Sequence, residues 1–189
     1  MTKFHRAWMI AALAALGFAA PATAAELEGV DFAERLDAGN TELFLHGTGL
    51  LRYRVLFKGY VAALYLEKDA ASAAALEDAP RRLEISYFWS IDADDFAEAT
   101  IEGISRNVDA KTLAALRDRI DRLNRLYEDI EPGDRYALTY LPGIGTELSK
   151  NEVPKGRIPG ADFAEALFAI WLGENPLDIP LRDQLLRGR

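Results

Sequence analysis

Apolar and polar residues alternate along several short stretches of the chain, and this period of two predicts β-strands. The first strand candidate is TELFLHG at 41–47, and a hairpin is predicted over 50–66 with Gly59 as a possible turn or bulge. A half-buried strand follows at 81–91, and a second hairpin at 135–151 surrounds the turn sequence PGIG. These segments predict a sheet whose strands are mostly antiparallel.

Other stretches repeat their apolar residues at the three- and four-residue spacing of an α-helix. The alanine-rich segment 69–80 predicts a short connecting helix, and 92–108 predicts a helix with acidic residues in its first turn. Two further helices are predicted over 110–130 and 161–173, and a short one ends the chain. The acidic segment 24–40 predicts a loosely held start. This order of elements predicts an α+β domain with its helices on one face of the sheet.

The first hairpin places cations among large apolar side chains. Because successive side chains of a strand point to opposite faces, Arg52, Arg54 and Lys58 are expected on one side. That side is either a solvated face, where cations discourage aggregation, or the lining of an anion-binding cleft. Tyr60 shares this side only if no bulge occurs at Gly59, since one extra residue moves each later side chain to the other face.

The N-terminus is typical of a secretory signal peptide. Lys3 and Arg6 precede the apolar run AWMIAALAALGFAA, and an A-x-A cleavage sequence follows at 22–24. We expect residues 1–24 to be removed and residues 25–189 to form one domain in the periplasm or outside the cell. No other stretch approaches the ~20 apolar residues of a spanning helix, so no stable membrane span is expected after cleavage.

Composition excludes several classes of function. The chain of 189 residues has a net charge of −8, and removal of residues 1–24 leaves 20 basic against 30 acidic residues, so nucleic acid is not an expected partner. There is no cysteine, and His46 is the only histidine after cleavage. These counts exclude Cys–His nucleophile pairs and thiolate or His-rich metal sites, and a GxSxG sequence is also absent. We expect no metal and no cofactor.

Three regions together resemble the exported bacterial branch of the chalcone isomerase-like family. They are GTGLLRYRVLFKGYVAALYL at 47–66, RLEISYFWSIDADDFAEATIEG at 82–103, and GDRYALTYLPGIGTEL with IPGADFAEALFAIWLG within 133–173. They follow one another in the family's order and span nearly the whole predicted mature chain. The resemblance implies a chalcone-isomerase-like fold, an antiparallel β-sheet with helices packed on one face and a ligand cleft between the sheet and two helices.

The resemblance also implies positions for ligand-binding groups. Plant chalcone isomerases use an arginine and a threonine from early strands with a tyrosine and an asparagine from a helix, and related plant members bind fatty acids through arginine and tyrosine. Arg52 takes the arginine position, with Arg54 as a neighbouring candidate, and Tyr60 takes the threonine position. Phe96 and Gly103 stand where the helical tyrosine and asparagine would be. Since these two residues lack the polar groups, chalcone cyclisation is not expected.

The leading hypothesis is a binding protein for an amphipathic carboxylate, such as a fatty acid or an aromatic acid. A guanidinium holds a carboxylate through two parallel hydrogen bonds, and apolar walls add ~0.8 kcal/mol for each buried CH₂. The predicted ligand-binding residues are Arg52, Arg54, Tyr60, Phe96, Thr100 and Gly103.

Two alternatives stay open from the sequence. In the first, the protein is an intramolecular lyase or isomerase on an unknown substrate, with Arg52 stabilising an oxyanion and Tyr60 donating a hydrogen bond. In the second there is no ligand, and the cations of the hairpin form a solvated, charge-decorated face. The sequence identifies neither the ligand nor the oligomeric state.

Overall fold

The computed structural model describes residues 24–53 and 57–188. Within these ranges there are nine strands: β1 (Ala24–Leu27), β2 (Val30–Ala33), β3 (Arg35–Ala38), β4 (Thr41–Tyr53), β5 (Phe57–Leu66), β6 (Arg81–Tyr87), β7 (Arg135–Leu141), β8 (Gly145–Lys150) and β9 (Val153–Ile158). The same ranges contain a 3₁₀ helix (Ser72–Leu76) and the helices α1 (Ala93–Ser105), α2 (Ala110–Asn124), α3 (Ala161–Leu172) and α4 (Ile179–Leu186). None of the helices in these ranges is long and apolar enough to cross a membrane.

The strands from β3 to β9 form one antiparallel sheet of seven strands in sequence order. Strands β1 and β2 form a separate antiparallel hairpin. The predicted α+β class, with an antiparallel sheet and helices on one face, is confirmed. Because each strand pairs with its neighbour in sequence, the period-two pattern of each strand decides which residues face the helices.

Two apolar clusters cover the two faces of the sheet. On the helix side, alternate residues of the central strands pack against residues of the four helices. The strand residues include Leu64, Leu83, Ile85 and Leu138, and the helix residues include Ile104, Leu116, Phe163 and Leu181. On the opposite side, the buried residues include Phe32, Leu43, Leu45, Val61 and Tyr65. Strand β5 is therefore buried on both faces along most of its length, which accounts for the unbroken apolar run YVAALYL.

The prediction of a loosely held segment at 24–40 was wrong. Strands β1, β2 and β3 lie there. Ala25 and Phe32 of the β1–β2 hairpin pack on the face of the sheet opposite the helices, where Ala38 of β3 is also buried. Each of these strands is only four residues long, too short for a period-two pattern to be recognised among the surrounding acids.

Three other boundaries differ from the prediction. The helix expected over 69–80 is a short 3₁₀ helix (Ser72–Leu76), and α2 ends at Asn124 rather than near 130. Strand β9 was not predicted, because Pro154 and Gly156 interrupt its sequence. Both residues are tolerated since β9 lies at the edge of the sheet.

Candidate ligand-binding site

A cavity of about 260 Å³ lies between the sheet and the helices. Strands β5 to β8 form one wall, α1 and α3 contribute the opposite wall, and Tyr127 closes one side just after α2. Its apolar lining includes Ile85, Leu138, Leu148 and Ile170. The cavity occupies the place between sheet and helices where the resemblance implies a ligand cleft.

A bulge at Gly59 decides which side chains of the first hairpin reach the cavity. Leu51 pairs with Tyr60 while Arg52 pairs with Lys58, so Gly59 is an extra residue in β5. Leu51 packs against the cluster on the helix side, and Tyr60 lines the cavity. Lys58 comes one position before the bulge, and Arg52 is its partner in β4. Both side chains lie on the opposite face of the sheet.

Arg52 and Lys58 both form ion pairs with Glu28, in the turn between β1 and β2. The distance from Arg52 Nη2 to Glu28 Oε1 is 3.5 Å, and that from Lys58 Nζ to Glu28 Oε2 is 2.5 Å. The Arg52 side chain is 50% exposed, and the hydrogen bond from Lys58 lowers the pKa of Glu28. The solvated-face interpretation therefore describes Arg52 and Lys58 in this structure, and Arg52 does not line the cavity. Arg54 lies outside the described residues.

Three of the predicted ligand-binding residues line the cavity together: Tyr60 from β5, with Phe96 and Thr100 from α1. Gly103 lies further along α1, at the contact with α3. A Cβ atom on Gly103 would come within 2.8 Å of Ile170 Cγ2, so glycine allows the two helices to approach closely. Gly103 itself does not line the cavity but packs against Ile170, which does.

Aromatic rings form much of the cavity wall. The ring of Tyr87 lies 5.5 Å from that of Tyr60 and 5.4 Å from that of Phe96, in edge-to-face geometry. Phe96 also stacks on Tyr127 at 5.3 Å and meets the edge of Tyr136 at the same distance. Pairs of this kind add about 0.5–1.5 kcal/mol each beyond their buried area, so the rings hold one another in place.

Four more aromatic residues line the cavity that were not among the predicted ligand-binding residues: Tyr87, Tyr127, Tyr136 and Trp171. Tyr87 was recognisable as an inward residue, since it alternates with Leu83 and Ile85 in β6. Trp171 lies in the helix predicted over 161–173, which is α3. The sequence contains no signal that separates a ring against a cavity from a ring against another side chain, because both surfaces are apolar.

Most hydroxyl groups of the cavity are engaged within the protein. Trp171 Nε1 donates to the Tyr60 hydroxyl at 3.0 Å, and the hydroxyls of Thr100 and Tyr127 share a hydrogen bond of 2.9 Å. The Tyr136 hydroxyl donates to the backbone carbonyl of Glu128 at 2.8 Å and accepts from its backbone N–H at 2.7 Å. These contacts fix the orientation of the aromatic walls.

The hydroxyl of Tyr87 differs from the others, because no group in the described part of the chain forms a hydrogen bond with it. Tyr87 is only 5% exposed. Burial raises the pKa of Tyr87 well above its ordinary value and raises the pKa of Tyr127 to about 12. These phenols are therefore neutral at physiological pH and act as hydrogen-bond donors as well as acceptors.

Charge is scarce around the cavity. Among the described residues that line it, Asp95 is the only one with an ionisable acidic or basic group other than a phenol, and it lies exposed near the start of α1. The cavity thus offers apolar surface and neutral hydroxyls to a ligand. A charged ligand group would find no cation in this part of the lining.

The described residues form an α+β domain with an apolar cavity between an antiparallel sheet and its helices. A family model described as chalcone isomerase-like matches residues 24–187, and the chain belongs to this family. The family predicted from the sequence is confirmed.

A solved structure of a fatty-acid binding protein of Arabidopsis thaliana is similar to this chain, with a TM-score of 0.69 and 13% sequence identity. The similarity covers 87% of this chain and 96% of the plant protein, so the two share their fold. None of the curated protein sequences compared with the chain matches it significantly.

Proposed function

We propose that the protein binds a small amphipathic molecule whose apolar part occupies the cavity, a class of ligand that includes fatty acids and aromatic acids. The observation that carries the proposal is the cavity itself, which combines apolar and aromatic walls with a few neutral hydroxyls. Ligand pockets commonly have this composition. The fold shared with a protein named as a fatty-acid binding protein also supports it.

We also propose that the protein acts in the periplasm or outside the cell. Support comes from the basic, apolar and A-x-A segments of residues 1–24. Residues 1–23 lie outside the described residues, so the signal peptide stays a prediction from sequence.

The size of the cavity favours a small ligand. A volume of 260 Å³ lies just below the range of about 300–1,000 Å³ that is usual for ligand pockets. We therefore propose that short acyl chains or single aromatic rings fit inside, while longer chains extend through the opening.

Binding is favoured over catalysis by the placement of Arg52. The enzyme hypothesis required Arg52 and Tyr60 to act on one substrate, with Arg52 at an oxyanion. Tyr60 lines the cavity, whereas Arg52 is paired with Glu28 on the other face of the sheet. The two groups therefore do not converge on one ligand in this arrangement, and we propose a binding function rather than that of an intramolecular lyase or isomerase.

Calorimetric titration with saturated fatty acids of increasing chain length tests this proposal. We expect the affinity to rise about fourfold with each added CH₂, equivalent to ~0.8 kcal/mol, because each group leaves water for the cavity. The rise should end once the cavity is filled and further CH₂ groups extend through its opening. A continuous rise through long chains would indicate adsorption to the surface, and no binding at any length would contradict the proposal.

A further inference from the structure

We infer that the cavity selects an uncharged hydrogen-bond acceptor, such as the carbonyl of a ketone, an aldehyde or a protonated carboxylic acid, and that the hydroxyl of Tyr87 donates to it. The inference rests on the proposed function and adds to it the chemistry of the ligand's head group. An acid would enter in its protonated form, and a neutral carbonyl compound of the same size would bind more tightly near neutral pH.

The hydroxyls of the cavity contain more donors than the described residues accept. Tyr60 accepts from Trp171 and keeps its own hydrogen, and the Thr100–Tyr127 pair uses one of its two hydrogens. Tyr87 uses neither its donor nor its acceptor in the described part of the chain. A ligand that supplies an acceptor satisfies such a donor, whereas a pure hydrocarbon leaves it unpaired at a cost in affinity.

Tyr87 is the donor best placed to meet a ligand. Its ring lies between those of Tyr60 and Phe96, at 5.5 and 5.4 Å, and 6.3 Å from that of Tyr136. With 5% exposure it is more than nine-tenths buried, and it lines the cavity. Its hydroxyl oxygen keeps contact with the open space of the cavity, so a ligand carbonyl in that space can accept its hydrogen bond in place of water.

The charge of the site favours a neutral head group over a carboxylate. The described lining contains no lysine, arginine or histidine, and Asp95 adds negative charge beside it. A buried carboxylate needs a partner of opposite charge, and without one it loses hydration that the phenols replace only in part. The raised pKa values of Tyr60, Tyr87 and Tyr127 have burial as their main cause and indicate the same penalty on anions.

Three probes of nearly equal size and shape test the inference: acetophenone with a neutral carbonyl, cumene with no polar group, and benzoate with a charge. Dissociation constants are measured with the mature chain at neutral pH, for the wild type and for Tyr87→Phe. We expect benzoate to bind the wild type at least tenfold more weakly than acetophenone. Tyr87→Phe should weaken acetophenone about fivefold to tenfold and change cumene less than twofold, the size expected for one hydrogen bond.

Tyr65→Phe is the matched control, because Tyr65 is equally buried but lies on the opposite face of the sheet. It should change none of the three constants. The phenylalanine variant at Tyr87 is expected to fold, since it removes a hydroxyl without a hydrogen bond in the described residues.

Tighter binding of benzoate than of acetophenone would overturn the inference, and so would an equal effect of Tyr87→Phe on acetophenone and cumene. In both cases a probe still binds, so the result does not contradict the proposed function. Failure of all three probes to bind would contradict the proposed function and the inference together.

Discussion

Arg81→Ala is expected to lower the free energy of unfolding by about 3–5 kcal/mol, the range for truncating a large buried side chain that holds buried partners. Arg81 is fully buried at the start of β6. It donates to the backbone carbonyls of Glu77 and Ala79, the latter at 3.2 Å, and its guanidinium lies 4.5 Å from the ring of Tyr140 and 4.6 Å from that of Phe168. It thus joins the loop before β6 to the sheet and to α3, which forms a wall of the cavity.

The measurement is urea unfolding of Arg81→Ala beside two control variants. Arg81→Met keeps most of the volume but loses the charge, the hydrogen bonds and the guanidinium–ring contacts, so it should cost about 1–3 kcal/mol. Arg117→Ala removes the ion pair between Arg117 and Asp121, in which the arginine side chain is 60% exposed. This variant should lower the free energy of unfolding by less than about 0.5 kcal/mol. A free energy for Arg81→Ala within 1 kcal/mol of the wild type would show that this contact network does not stabilise the fold.

Ala99→Trp is expected to weaken the binding of acetophenone at least a hundredfold. Ala99 lies on the exposed side of α1 and also lines the cavity, so an indole at this position fills space that a ligand needs. The cavity of about 260 Å³ is too small to accept both an indole and a second aromatic ring. Because the site is exposed, the free energy of unfolding should change by less than about 0.5 kcal/mol.

Ala114→Trp is the matched control for Ala99→Trp. It makes the same change at an exposed position of α2 that does not line the cavity. Fluorescence or calorimetric titration of both variants distinguishes blocking of the cavity from a general effect of the added ring. Wild-type affinity in Ala99→Trp would place the bound molecule somewhere other than this cavity.

Much of the fold follows from local patterns in the sequence. Helices α1 and α3 carry regular apolar repeats and were predicted close to their observed bounds, β6 was predicted from its observed first residue, and β5 was predicted as part of a hairpin over 50–66. The side of the sheet that each residue faces was harder to predict, because a single extra residue reverses it. The bulge at Gly59 was a stated possibility, but its presence depends on how β4 and β5 pair across the sheet.

The candidate site was predicted only in part for a related reason. Tyr60, Phe96 and Thr100 line the cavity, while the cation chosen to hold a carboxylate lies on the opposite face. Tyr87 has the same pattern as a core residue, and only the three-dimensional structure distinguishes a ring beside a cavity from one inside the core. Apolar ligand sites are therefore harder to predict from one sequence than clusters of charged or metal-binding residues.

The crystal structure of the mature protein with acetophenone tests the central claim most directly, because it locates the bound molecule. We expect the phenyl ring between the sheet and α1, in contact with Phe96 and Trp171, and the carbonyl oxygen about 2.8 Å from the Tyr87 hydroxyl. Density for acetophenone beside Arg52 and Lys58, with the cavity unchanged, would contradict the claim that the cavity is the ligand site.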